Sequence, residues 1–102
     1  MPASLTEAEF SKHVGEGFRF RLEDRELELK LVEVKTYPFG PNEQSGMERF
    51  SVFFDGPAGV RLMQGLYPLI NESMGEFELF LVPIAQDGQG FRYEAVFNYF
   101  KT

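Results

Sequence analysis

Residues 75–100 constrain the fold more than any other part of the chain. Two strand-like runs, 78–84 and 91–100, are separated by the glycine-rich residues 86–90, a pattern typical of a β-hairpin. Residues 79–84 are apolar on both faces, so both sides of this strand require a cover. The cover could be the N-terminal helix, a second sheet of the same chain or another subunit.

The composition favours a β core over a helical bundle. The chain has 102 residues, with 12 Phe but no Trp and no Cys. Aromatic side chains suit a pleated, half-buried surface. The length predicts one β domain covering residues 1–102.

One short helix is predicted at the start of the chain. Thr6 and Glu9 have the spacing of a capping box, and Leu5 and Phe10 have that of a hydrophobic staple. We expect the helix to cover about residues 7–13, with Phe10 as its main apolar side chain.

Apolar and polar residues alternate after the helix, which predicts a first hairpin. With a turn at residues 24–25, Phe20 pairs with Leu29 on the apolar face. The same register places Arg19 opposite Lys30 on the polar face. We expect the apolar face to decide the register, because a one-residue slip would expose it.

Further strands follow the first hairpin. The alternation breaks at residues 31–32, which indicates a bulge or a bend. The proline- and glycine-rich residues 37–47 predict a mobile loop, and a third strand covers 48–55. Pro68 predicts an edge position for a fourth strand at about 66–71. The whole pattern predicts a mainly β, antiparallel sandwich or partly open barrel of about six strands.

Charge argues against nucleic-acid and membrane partners. The formal net charge is −6, and the basic residues are scattered. Nucleic acids and anionic bilayers both attract a concentrated basic face. Since the start of the chain also lacks the pattern of a signal peptide, we expect a soluble cytoplasmic protein.

No catalytic, cofactor-binding or metal-binding residue is predicted. His13 is the only histidine, and without Cys the chain cannot build a common zinc site. We interpret His13 as a surface residue near a helix end. Two carboxylate pairs, Glu26 with Glu28 and Glu76 with Glu78, lie at the polar positions of amphipathic strands. This placement indicates strand faces that contact solvent.

The sequence favours a non-enzymatic interaction or accessory module. One short helix is too little to cover both faces of the strand at 79–84, so apolar surface is left for another protein or a second copy. The possible interaction surface consists of Phe80, Val82 and Ile84.

Binding of a small ligand in an aromatic-lined barrel interior is the alternative function. Tyr93, Phe97 and Tyr99 share one strand face and would line such an interior. The same stripe is also typical of a filled core. A continuous cavity would favour the ligand, and a filled core with an exposed apolar patch would favour the protein partner.

Four blocks in order resemble a family of short bacterial proteins that share a domain of unknown function. The blocks are Leu5-Thr6 with Phe10, Val14-Gly15 and Phe18; then 64–67; then Gly75 with 79–83; then 93–98. The resemblance covers nearly the whole chain. It implies a bacterial origin and a compact single domain, and it transfers no activity or site residue.

Overall fold

The computed structural model describes residues 5–22, 25–37 and 47–100. They form one helix and six strands: α1 (Glu7–Ser11), β1 (Gly17–Leu22), β2 (Arg25–Thr36), β3 (Met47–Pro57), β4 (Gly65–Asn71), β5 (Gly75–Asp87) and β6 (Gly90–Phe100). The strands form a closed antiparallel barrel in the order β1-β2-β3-β6-β5-β4. The predicted mainly β fold with one short N-terminal helix is therefore confirmed. The sheet takes the barrel form, and the barrel is closed rather than partly open.

The helix begins as predicted and ends earlier. The Thr6 hydroxyl accepts a hydrogen bond from the Glu9 amide at 3.1 Å, which confirms Thr6 as the N-cap. The helix ends at Ser11, and the turn that follows it bonds to β2 before β1 begins. Gly15, with a φ of 98°, donates its amide to the Leu31 carbonyl at 2.7 Å. Gly15 lies three residues after the C-cap residue, Lys12, and glycine adopts its left-handed conformation without a steric penalty.

Phe10 docks the helix onto the barrel. Its side chain is fully buried. The ring centroid lies 6.2 Å from that of Phe50, 5.9 Å from that of Phe77 and 5.5 Å from that of Phe97. These rings come from β3, β5 and β6, so one side chain connects the helix to three strands.

The first hairpin differs from its predicted register by two residues. Phe20 pairs with Leu27 rather than with Leu29, and Arg19 pairs with Glu28 rather than with Lys30. A two-residue shift keeps the same side chains on the apolar face, so that face cannot distinguish the two registers. The observed register replaces a like-charge pair with an opposite-charge pair, which is the more favourable arrangement.

The middle of the chain follows the prediction where it is described. The β2–β3 register shifts between Leu31 and Glu33, which confirms the predicted bulge. β3 extends two residues beyond the predicted end and finishes at Pro57. Most of the predicted mobile loop, residues 38–46, lies outside the described residues.

The predicted edge position of β4 is wrong. The strand pairs along its whole length with β5 and also contacts β1, where Arg19 pairs with Ile70. This is the one β1–β4 pair in the described ladder. Pro68 lies two residues from that pair. Because proline has no amide hydrogen to donate, the β1–β4 seam stays short although the barrel closes.

Apolar side chains fill the barrel interior. The largest fully buried ones are Tyr93, Phe10, Phe18, Phe50, Phe54, Leu29, Leu31, Leu69, Met74 and Leu81. The Tyr93 hydroxyl accepts a hydrogen bond from the Leu62 amide at 2.9 Å, so its polar end is satisfied. Burial raises the pKa of this phenol. Phe97 stacks on Phe50 at 4.6 Å, and the side chain of Tyr99 lies outside the described part of the chain.

Candidate functional site

Three exposed apolar side chains lie on the outside of adjacent strands. Leu66 of β4 is 59% exposed, Phe80 of β5 is 49% exposed and Val96 of β6 is 66% exposed. Leu66 is the direct partner of Phe80. Val96 follows Glu94, the partner of Val82, by two residues and so shares its face. We call Leu66, Phe80 and Val96 the outer apolar row.

The structure places the predicted interaction residues beside this row but does not expose them equally. Phe80 and Ile84 are exposed, whereas Val82 is half-buried. The β5–β6 register shifts between Pro83 and Ala85, which breaks the alternation before it reaches Ile84. The outer face near Phe80 therefore stays uncovered, while Leu79 and Leu81 of the same strand are buried inside.

Sequence reasoning missed Leu66 and Val96 as parts of this surface. Leu66 shares its exposed face of β4 with Pro68 and Ile70, whereas Val96 follows Glu94 on the outward face of β6. For Val96, an apolar residue in a polar phase was the available signal. Their proximity to Phe80 depends on the pairing of three strands, and no single segment carries that information.

A hydrogen-bonded polar cluster adjoins the outer apolar row. Ser51 lies on β3 opposite Val96, between buried Phe50 and Val52, and is itself fully buried. Its hydroxyl donates to Glu94 Oε2 at 2.6 Å. The Tyr37 hydroxyl lies 3.0 Å from Ser51 Oγ and 3.4 Å from Glu94 Oε2. Two hydroxyls thus hold one carboxylate oxygen of Glu94.

The chemistry of this cluster is that of a positioned carboxylate. Ser51 has no exposed surface from which to attack a substrate, and its hydrogen is bonded to Glu94. The histidine of the chain lies in a different cluster, so no Ser-His dyad forms around Ser51. The result is a fixed acceptor group next to an apolar surface.

A family model for a domain of unknown function, DUF6916, matches residues 5–97. The chain belongs to this family. No curated protein and no solved structure is significantly similar to the DUF6916 chain. The family resemblance expected from the four sequence blocks is confirmed, and the match covers the first three blocks and the fourth up to residue 97.

The predicted surface position of His13 is wrong. In the DUF6916 chain His13 is 9% exposed. Its Nδ1 lies 3.0 Å from Glu16 Oε2, and its Nε2 lies 3.1 Å from Glu9 Oε2. The ring is buried because residues 12–16 fold the end of the helix onto β2. The spacing of Glu9, His13 and Glu16 at i, i+4 and i+7 was the signal for this cluster.

Charge and hydrogen bonding shift the pKa values in the His13 cluster. The hydrogen bond that His13 donates to Glu16, together with the one that it donates to Glu9, raises the pKa of His13 against the opposing effect of burial. The hydrogen bond from His13 lowers the pKa of both carboxyl groups. Asn71 Nδ2 also donates to Glu16 Oε1 at 3.2 Å and to the Gly17 carbonyl at 3.0 Å. The cluster thereby joins the helix to β1 and β4.

The remaining candidate residues are on open surfaces. Glu26 and Glu28 are exposed opposite Arg21 and Arg19. An open groove of about 370 Å³ lies beside the β5–β6 turn. In its wall, Arg92 Nε donates to Asp55 Oδ1 at 2.7 Å. This ion pair raises the pKa of Arg92.

Among the residues that the structure describes, no group of three or more His, Asp or Glu side chains could hold a metal ion. The described part of the DUF6916 chain also contains no helix with the length and apolar character needed to cross a membrane.

Proposed function

We propose that the protein is a non-enzymatic interaction module, an accessory protein that binds a protein partner through the outer apolar row. The observation that carries this proposal is the exposure of Leu66 and Phe80 as direct partners on β4 and β5, with exposed Val96 on the outer face of β6, the other neighbour of β5. Contiguous exposed apolar side chains rimmed by polar residues are typical of protein interfaces.

The size of the exposed surface supports an anchor role for Phe80. A phenylalanine buries about 150–250 Å² when fully covered, so covering its exposed half removes about 100 Å² from water. At roughly 25 cal/mol per Å², this contact contributes about 2–3 kcal/mol. A contribution of that size is typical of the few residues that dominate an interface.

The filled interior supports a protein partner over a small ligand in the barrel. Tyr93, Phe50 and Phe54 occupy the interior with no exposed surface to line an opening. A ligand site needs a concave, largely pre-formed space with a few convergent polar groups. Tyr93 of β6 lies in the core instead, and Phe97 packs against it.

We also propose a cytoplasmic location, which the cysteine-free composition supports since it suits a reducing compartment. The bacterial origin implied by the family resemblance stays a prediction.

A pair of matched variants tests the proposed surface. Phe80→Thr removes the anchor and keeps a β-branched residue in the strand. Ile70→Thr makes a similar change on the outside of β4, where Ile70 lies between Arg19 and Glu76. The assays are light scattering on a sizing column and capture of proteins from a lysate of the organism that encodes the chain.

We expect Phe80→Thr to lose association by tenfold or more and Ile70→Thr to keep it. Thermal melts check that both variants fold. A strictly monomeric parent protein that retains no specific partner would refute the proposal, and so would equal behaviour of Phe80→Thr and the parent.

A further inference from the structure

We propose that the partner of the outer apolar row is another protein whose apolar anchor is flanked by lysine or arginine, rather than a second copy of this chain. This inference rests on the proposed function, because it names the chemistry of the partner at that surface. It is carried by the charges around the row and by the geometry of Glu94.

The first observation is the position of Glu94. Its Oε2 is held by Ser51 at 2.6 Å and by Tyr37 at 3.4 Å. Within the described residues, Oε1 has no hydrogen bond or ion pair. The carboxylate is thus held through one oxygen on the half-buried Glu94, and its second oxygen has capacity to accept from a cationic donor. Charge-assisted hydrogen bonds of this kind are shorter and stronger than neutral ones.

The second observation is the charge of the wall made by β4, β5 and β6. Strands β4 and β5 contain no lysine or arginine. The single basic residue of β6, Arg92, is bonded to Asp55 through Nε at 2.7 Å and Nη2 at 3.2 Å. The charged residues of the three strands are Glu76, Glu78, Asp87, Arg92 and Glu94.

The acidic groups lie close to the apolar anchor. Glu78 is exposed on the same face as Phe80, two residues before it. Glu94 is the partner of Val82, two residues after Phe80. Phe80 therefore has one carboxylate near it on its own strand and another on the neighbouring strand. A partner surface with lysine or arginine around an apolar side chain is complementary to this arrangement.

A second copy of the chain is a poor occupant by the same reasoning. A two-fold dimer brings the same surface of both subunits together. Such a dimer would place two acidic walls face to face, in two molecules that each carry a net charge of −6. Like charges across an interface oppose binding, whereas a basic partner is steered toward the wall at low salt. Anionic lipid is repelled for the same reason.

The test combines Phe80→Thr with two charge variants. Glu78→Gln/Glu94→Gln removes two carboxylates beside the row and leaves the row intact. Glu26→Gln/Glu28→Gln is the control, because it changes the net charge by the same amount. These residues lie on β2, which is not adjacent to β4, β5 or β6 in the strand order. Each protein is immobilised, and the lysate of the encoding organism is passed over it at 50 mM and 300 mM salt. Retained proteins are separated by isoelectric point.

We expect the proteins retained in a Phe80-dependent way to be basic. Their recovery should fall about tenfold with Glu78→Gln/Glu94→Gln and should also fall at the higher salt. It should be unchanged with Glu26→Gln/Glu28→Gln. The parent protein should stay monomeric in light scattering at low salt.

The outcomes separate this inference from the proposed function. If the Phe80-dependent partners are recovered equally with Glu78→Gln/Glu94→Gln and with the parent protein, this inference is wrong. The proposed interaction module would still stand. A Phe80-dependent dimer, or Phe80-dependent binding to phosphatidylcholine vesicles, would assign the row to a second copy or to lipid and overturn the inference as well. Partners retained equally by parent and Phe80→Thr would overturn both proposals.

Discussion

The His13 cluster makes the stability of the protein depend on pH in a way that one substitution should remove. His13 is enclosed by Glu9 and Glu16 at 3.1 and 3.0 Å, and its side chain is 11% exposed. Both ring nitrogens face carboxylates, so the doubly protonated imidazolium suits this site best. Replacing it in His13→Gln keeps a polar side chain and removes the charge.

The direction of the pH effect follows from the pKa of His13, which is raised above its ordinary value of 6.5. The folded protein therefore holds this proton more tightly than the unfolded chain does. The stabilisation is fully present below about pH 6.5 and is lost as the pH rises through the folded-state pKa. The lowered pKa values of Glu9 and Glu16 act oppositely, and their contribution is lost as the pH falls below about 4.5.

The expected magnitude is modest because solvent reaches the carboxylates. Hydrogen bonds to charged groups contribute about 1.5–3 kcal/mol each when they are well protected. The Glu9 and Glu16 side chains are 26% and 42% exposed, so screening reduces this value. We expect His13→Gln to lower the free energy of unfolding by about 1–2 kcal/mol near pH 6 and by less near pH 9. For a chain of this length that is a loss of roughly 4–16 °C in Tm.

Thermal melts of the parent and His13→Gln between pH 5 and 9 measure the effect. Lys12→Gln is the matched control, because Lys12 is 68% exposed and pairs with Glu9 at 3.5 Å, and a surface ion pair contributes little at any pH. A Tm difference between parent and His13→Gln that stays constant across this pH range would refute the reasoning.

Two further predictions concern the core and the β5–β6 turn. Phe10→Ala should lower the free energy of unfolding by about 3–5 kcal/mol because it opens a cavity among three rings. Val14 is exposed, so Val14→Ala should lower it by less than about 1 kcal/mol. Urea denaturation of both variants measures the difference. Gly90→Ala should cost about 1–3 kcal/mol because its Cβ would collide with the Gly56 carbonyl oxygen, whereas Gly88→Ala meets no neighbouring atom and should melt like the parent. Equal stability of the two alanine variants in either pair would contradict the packing described.

Local patterns predicted the elements better than their pairing. Thr6 as N-cap and the bulge after Leu31 follow from a few neighbouring residues, and both are confirmed. The first hairpin shows where local reasoning fails. Its apolar face excludes a one-residue slip but is compatible with a two-residue shift. The cross-strand charge pairs are therefore what distinguishes the two registers. Weighing the unfavourable pair of Arg19 with Lys30 would have favoured the observed partner, Glu28.

Closure of the barrel could not be predicted from any one segment. It depends on contact between β1 and β4, where Arg19 pairs with Ile70 although the two are far apart in the sequence. Pro68 indicates only that the strand lacks one backbone hydrogen-bond donor. It does not indicate whether that position faces solvent or a short seam, because the answer depends on how far the other strands curve.

The candidate site combines both kinds of information. An apolar outer face near Phe80 was predictable, since residues 79–84 exceed what one short helix can cover. The polar part was not, because Ser51 and Glu94 meet only through the pairing of β3 with β6. A serine in the outward phase of a strand ordinarily indicates solvent, yet Ser51 is fully buried there. Its burial positions Glu94 next to the outer apolar row, and this juxtaposition is the reason to expect a partner with both apolar and basic groups.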